Sequence, residues 1–397
     1  MRRRRSPHWR SPGTALVSED WYAARRLAGS ALPLPAESAT LADADGRTLA
    51  APQVARTDLP AFDTAAMDGW AVCGQGPWAI AGEVLAGSRP EVTLTPGTGC
   101  VIATGAALPA GSTAVIKRED GTVDAGVLSA PYVQGSHIRP AGEECREGEV
   151  LLQAGAVVSP AALGLLAAAG VDEVSVRRIP RVALVLFGDE LVESGVAGVG
   201  QVRDALGPQL PGWVRRMGAE VVEVRRVRDT LDAHVAALQE AAAVADVVMT
   251  TGGTAAGPVD HLHTAVAQIG GSFVVDSVAV RPGHPMAVAR LEQAWLLALP
   301  GNPQSAIVSL LSLGEPLLGS LLGRGRDGLP HVTLSEAARA PDHEHRLLAC
   351  TLAGVIATPV QHLGSAMLRG LAQADGFAVL PPGGAGAGDT VAWVALP

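Results

Sequence analysis

Aromatic residues are scarce in this chain, making up 3% of its 397 residues. Proteins that hold single-stranded nucleic acid do so by stacking bases on such rings, so the scarcity argues against that class. Cationic charge is also short. Lys and Arg number 30 against 39 Asp and Glu, a formal net charge of -9, which argues against a nucleic-acid partner held by phosphate attraction. Only four cysteines occur, Cys73, Cys100, Cys145 and Cys350. They lie far apart with no paired spacing, which fits neither a zinc site nor a disulfide framework, so a reducing cytoplasm is the expected setting. No run of 18 apolar residues occurs, so no membrane-spanning helix and no membrane partner are expected.

Four arginines at positions 2–5 resemble the start of an export signal, but Glu19, Asp20, Arg25 and Arg26 interrupt the stretch that follows. Residues 1–14 are therefore expected to be a disordered basic tail. A role at nucleic acid or a membrane surface is the other reading of such a charge run. The rest, 48% hydrophobic and 17% charged, describes a soluble globular protein. At about 150 residues per domain, two to four domains are expected.

The most informative stretch is the apolar run 245–249, which breaks into Thr250, Thr251, Gly252, Gly253 and Thr254, with Gly257 and Asp260 beyond. Hydroxyls and paired glycines between a strand and a helix place backbone N–H groups at the carboxyl end of the strand, where α/β sheets bind phosphate. A tight turn in a glycine-rich protein reads this segment equally well. A second run, 181–187, stops at Gly188, Asp189 and Glu190. A third, 294–299, ends in Pro300, Gly301, Asn302 and Pro303 before a helical stretch over 305–318. If these strands are parallel, the loops share one rim, and carboxylates beside a phosphate loop suggest Mg2+.

From 181 to about 322 strand and helix alternate: strands 181–187, 220–224, 245–249 and 295–299, with helices near 207–217, 230–243, from 258, and 303–318. This pattern predicts a parallel sheet covered on both faces. Upstream, from 32 to about 180, short β-like runs (99–103, 114–117, 150–152, 171–176) are broken by Gly and Pro, with no obvious single sheet. One helix interrupts them, with Ser159 as N-cap, Pro160 at its first position and Gly170 as its stop. After Gly323 a linker leads into a small C-terminal β domain. In the segment 58–70, Asp63 and Asp68 sit five apart in a stretch that makes a poor strand and a poor helix, hence an ordered loop. Asx turns that only shape the loop are the structural alternative.

The segments 62–70, 104–111, 188–191 and 250–253, then Arg281, Pro282 and Gly283, then 300–305, occur in the order and spacing of the molybdopterin molybdenumtransferase family. The chain resembles that family, which includes the bacterial MoeA proteins and the corresponding domain of gephyrin, from about residue 32 to its end. The blocks 62–69 and 299–303 are the most specific part of the match. The resemblance implies a multidomain α/β plus β fold. Residues 15–50 with 146–180 would form a discontinuous N-terminal domain and 51–145 a β-rich domain. Residues 181–326 would be the α/β molybdopterin-binding domain, with a parallel sheet, and 327–397 a C-terminal β-barrel-like domain.

The resemblance also implies a homodimer with its active site between the third domain and the partner's second. The reaction it implies is insertion of molybdate into adenylylated molybdopterin, with loss of AMP and with Mg2+ at the site. A molybdopterin adenylyltransferase and molybdoenzyme maturation proteins are the implied partners. Glu190, Asp229 and Asp260 are the implied metal ligands, and Asp68 and Glu144 further catalytic carboxylates, Glu144 standing where the family has Asp. Molybdate is a dianion, so its pocket should offer N–H donors, hydroxyls and cations. Thr250, Thr251, Gly252, Gly253, Thr254, Arg281, His284, Pro300, Gly301, Asn302, Pro303 and Ser365 are the implied binding residues, with the positive end of the helix after Pro300 facing the oxyanion. Arg346 is a further candidate, and surface solvation is the alternative for it and Ser365.

Three departures stand against this. His284 replaces a lysine and makes local charge pH-dependent. Pro258 replaces an acidic residue, and Asp204, Ala205 and Leu206 stand where the family has Asp-Thr-Asn. They define a second reading, a catalytically weakened paralogue that binds molybdopterin or a partner as a scaffold. A third, another enzyme on the same α/β domain, is disfavoured by the β-rich block 32–180.

Overall fold

A computed structural model of the chain describes residues 18–253, 261–325 and 328–397. The expected tail 1–14, together with Thr254, Pro258 and Asp260, lies outside the described residues. Two compact units form: Ala36–Val176 is one, and Arg177–Pro397 with the segment up to Pro35 is the other. The segment 15–50, taken as one stretch in the sequence, is thus shared between them.

In the larger unit a six-stranded sheet runs in the order Glu220–Val227, Arg181–Phe187, Val247–Thr251, Trp295–Leu299, Ala287–Arg290, Ser272–Val275. The first four are parallel, and the last two add an antiparallel extension absent from the sequence expectation. Two of the parallel strands, Arg181–Phe187 and Val247–Thr251, are buried on both faces, which explains their continuous apolar runs. Helix Leu206–Arg216 covers one face with Leu210 and Val214, and Leu231–Val244 covers the other with Ala237, Leu238 and Ala241.

The helical stretch after Pro303 is longer than expected and irregular: Pro303–Ser309, a π turn over Leu310–Gly314, then Glu315–Leu321. Pro316 supplies the reason, because it lacks an N–H and its ring crowds the carbonyl four residues back. The loosened carbonyls find a partner in the N-terminal helix Trp21–Ala28. Arg25 Nη1 donates to Leu311 O at 2.6 Å, and Trp21 Nε1 donates to Ser312 Oγ at 2.9 Å.

The C-terminal strands close into a five-stranded barrel in the order His345–Ala353, Ile356–Pro359, His331–Leu334, Thr390–Ala395, Gly376–Leu380, the last pairing back onto the first. Val332, Leu348, Cys350, Leu380 and Trp393 pack together as its core. A short strand, Val280–Arg281, joins it in parallel to His345–Ala353.

The smaller unit contains a single six-stranded sheet where only scattered runs were legible. Its order is Ala114–Lys117, Gly69–Val72, Thr98–Ile102, Trp78–Val84, Val127–Ser129, Thr122–Asp124. Helix Pro160–Ala168 forms as expected: Ser159 Oγ accepts from Ala162 N at 3.2 Å, and Gly170 follows with φ of 79°. It packs Leu166 against Ala44, Leu49, Val158 and Val174, residues from two distant stretches of chain. All four cysteines are buried free thiols, and burial pushes Cys100 and Cys350 up to about 11. Among the described residues no helix is long and apolar enough to cross a membrane.

Candidate active site

The register of the parallel strands brings their carboxyl ends into line, because Phe187 pairs with Val227, Leu186 with Thr251, and Thr251 with Leu299. Four loops therefore leave one rim: 188–190, 228–230, 252–253 and 300–302. Positive φ calls for glycine at two of these places. At Gly188 (φ 140°) a Cβ would lie 2.8 Å from Glu190 Oε2, so the exposed Glu190 carboxylate folds back over bare backbone. At Gly252 (φ 82°) a Cβ would reach Phe187 O at 3.1 Å, and one on Gly301 would lie 3.8 Å from Gly252 Cα. Gly252 N donates to Leu299 O at 3.0 Å and locks the ends of Val247–Thr251 and Trp295–Leu299 together.

Thr250 and Thr251 require a correction. Strand pairing to Ala298 and Leu299 keeps both inside the sheet, at 0% and 3% exposure, so the loop proper begins at Gly252. Asp229 does stand at the rim, directly before Thr230, whose hydroxyl caps the helix Leu231–Val244. Its Oδ1 lies 3.0 Å from Nε2 of His234, a residue that sequence reasoning passed over. A histidine on the apolar face of an alanine-rich helix was the one available signal.

A basic pair stands where the barrel joins the larger unit. Arg281 stands beside Arg346 in the register of the strand that joins the barrel, and its Nε donates to Glu344 Oε2 at 2.7 Å while the side chain stays 55% exposed. Arg346 Nη1 donates to Arg339 O at 2.7 Å. The intervening Gly283 (φ 101°) presses on the following helix, where a Cβ would sit 3.1 Å from both Ser305 O and Ser309 Oγ. His284 is turned toward its own loop, with Nδ1 3.0 Å from Val278 O.

Ser365 comes to the same place, with an unexpected role. Its carbonyl oxygen accepts from Gln304 N at 3.0 Å and Ser305 N at 3.2 Å. Those are the N–H groups that the sequence reading assigned to an oxyanion, and a backbone group from the 364–367 turn satisfies them instead. The expectation that this helix end faces molybdate is corrected accordingly. Asn302 stands at its N-cap without a side-chain capping bond.

In the smaller unit, Asp68 Oδ1 accepts from Thr104 N (2.8 Å) and Thr104 Oγ1 (3.0 Å), and these bonds hold its carboxyl below the usual range. Asp63 Oδ1 accepts from Ala141 N at 2.8 Å, tying the 62–70 segment to the turn that carries the exposed Glu144. Neither bond is a local Asx turn: each aspartate ties its loop to a segment distant in the chain, 104 for Asp68 and 141 for Asp63.

Comparison with known proteins gives this arrangement a class. Three family models match in chain order: the MoeA N-terminal region (domain I and II) over residues 21–170, a probable molybdopterin binding domain over 183–320, and the MoeA C-terminal region (domain IV) over 332–396. The rim described above lies within the second. The chain is 32% identical over 376 residues to the molybdopterin molybdenumtransferase of Synechococcus elongatus, covering 89% of this chain and 92% of that one. It is 33% identical over 363 residues to molybdopterin molybdenumtransferase 2 of Mycobacterium tuberculosis, covering 86% and 90%. The crystal structure of the molybdopterin biosynthesis moea protein of Pyrococcus horikosii superposes with a TM-score of 0.80 at 27% identity, over 96% of this chain and all (100%) of that one. The chain belongs to the molybdopterin molybdenumtransferase family.

Proposed function

We propose that this protein is a transferase of molybdenum cofactor biosynthesis, inserting molybdate into adenylylated molybdopterin with release of AMP. The observation that supports the reading is the single rim that the loops bearing Glu190, Asp229, Gly252 and Gly301 leave, in a region matching a probable molybdopterin binding domain, with Arg281 and Arg346 side by side where the barrel joins the same unit. A substrate bearing a pyrophosphate and a thiolate-rich head needs such a division of labour. Glycine backbone lets phosphate oxygens approach closely. Arg281 keeps the positive charge of the lysine it replaces, now in fork geometry, and Glu344 aims it.

A divalent cation is proposed at the acidic end. Glu190 and Asp229 offer hard oxygen donors that suit Mg2+, an ion usually held by one or two carboxylates plus substrate phosphate. Among the described residues no cluster of three metal-ligating side chains forms. Asp260 completes the proposed set. Bound there, Mg2+ would neutralise charge on the pyrophosphate. Glu190 and Asp229 would hold it, and Asp68 and Glu144 are proposed as further carboxylates of the same reaction.

We also propose a cytoplasmic homodimer, supplied by a molybdopterin adenylyltransferase and delivering to molybdoenzyme maturation proteins. These points rest on the family membership. Purified protein given adenylylated molybdopterin, molybdate and Mg2+ should release AMP and yield a cofactor that reconstitutes an apo molybdoenzyme. The second reading, a ligand-holding scaffold, is favoured by His284, which is tied to Val278 where the family has a lysine. Ligand binding without AMP release would select it.

A further inference from the structure

The sheet-facing side of helix Leu231–Val244 carries His234, Ala237, Leu238 and Ala241. Three of these are ordinary core residues, and His234 is not. It has no solvent exposure, and its ring lies flat on Phe187, 3.6 Å between centroids with an interplanar angle of 11°. The edge of His261 closes another side at 5.6 Å. Gly253 lies over Cε1, where a Cβ would come within 3.3 Å. The two ring nitrogens differ: Nε2 is 3.0 Å from Asp229 Oδ1, and Nδ1 is buried with no hydrogen-bond partner among the described residues.

Packing alone does not account for this residue. A buried ring nitrogen without a partner costs free energy that leucine at the same position would not incur. What the imidazole gains is the bond to Asp229. A carboxylate only accepts, so the ring hydrogen sits on Nε2 and the lone pair on Nδ1. The stack on Phe187, the last residue of a central strand, fixes the direction of that N–H, and Gly253, lacking a Cβ, leaves the space the ring occupies.

We infer that His234 is a positioning residue that, through its Nε2–H, holds the Asp229 carboxylate in one orientation at the rim for cation binding. The inference rests on the proposed reading of Asp229 as a cation ligand. Groups that orient a ligating side chain typically change metal affinity by about 10–100-fold when removed.

The test uses the full chain, with Mn2+ as the probe, binding followed by electron paramagnetic resonance in the presence of AMP. His234→Leu should weaken Mn2+ binding by about 10–100-fold while its thermal midpoint stays within a few degrees of the parent. His234→Gln, whose amide can reach Asp229, should bind within a few-fold of the parent, and His234→Asn, which is too short, should behave like the leucine variant. In an Asp229→Asn background, itself weakened, His234→Leu should add nothing. If Asp229→Asn is weakened but His234→Leu binds like the parent, or if the Gln and Asn variants lose affinity equally, the inference is overturned and the reading of Asp229 survives. Should the leucine variant fail to fold, the Gln and Asn pair decides alone. Parent-like binding by Asp229→Asn overturns the reading of Asp229 and the inference with it.

Discussion

The carbonyl oxygen of Ser365 accepts the backbone N–H of Gln304 at 3.0 Å, so a turn of the barrel caps the helix that opens after the Pro300–Pro303 segment. Gln304, 1% exposed, strengthens the join when its amide nitrogen is turned toward Gly364 O (2.6 Å) and Met367 O (3.2 Å). The Ser365 carbonyl is thus engaged, and its side-chain hydroxyl is left to meet a ligand. Ser365→Ala keeps the carbonyl and should leave the melting temperature unchanged while raising the KM for molybdate several-fold. Initial rates of AMP release at varied molybdate would show it, and an unmoved KM would take Ser365 out of the site.

Glu190 folds over Gly188 at the end of the central strand. Removing its charge without its shape, by Glu190→Gln, should abolish turnover at ordinary Mg2+, with stability altered by under about 0.5 kcal/mol because the residue is exposed. Full activity in this variant would exclude it as a cation ligand.

Gly69 follows Asp68 with φ of 151°, and a Cβ there would lie 1.9 Å from Ile116 O on the neighbouring strand. Strain and overpacking together should make Gly69→Ala cost about 3 kcal/mol. Calorimetry should show one transition lowered, that of the 36–176 unit, with the rest unmoved. The glycine that ends the 62–69 block is thus demanded by a backbone passing behind it.

His345 is buried beside Tyr22, and burial pushes its pKa below the ordinary value although Asp20 Oδ2, 3.7 Å away, pulls the other way. The unfolded chain takes up this proton below about pH 6.5, and the folded chain only at lower pH. The contribution is therefore fully present above the unfolded value and is lost as pH falls through the folded one. The parent's melting temperature should fall between pH 7 and pH 5, and His345→Gln should fall less. Equal slopes would contradict this.

The sequence made the central strands legible because burial on both faces leaves an unbroken apolar run, as in 181–187 and 295–299. It hid Ser272–Val275 and Ala287–Arg290, which are four residues each and too short for a period to show. The six-stranded sheet of the smaller unit was obscured by its order: Thr98–Ile102 lies between strands that both precede it in the chain. Thr250 and Thr251 resembled a ligand loop because hydroxyls suit one, yet register places them in the sheet. His234 had no spacing to betray it, since its partners Asp229, Phe187 and Gly253 come from three separate loops and strands. Ser365 and Arg346 were named from short motifs alone, and the structure places the first at the start of the helix Pro303–Ser309 and the second beside Arg281.

The pairing of Val280–Arg281 with the barrel strand His345–Ala353 has a consequence for how the larger unit can be divided. The barrel is stitched to the sheet domain by a shared ladder, so no cut between them leaves both halves whole. A fragment ending near residue 325 would keep Glu190 and Asp229 but lose both Glu344, the carboxylate paired with Arg281, and the strand against which Val280–Arg281 lies.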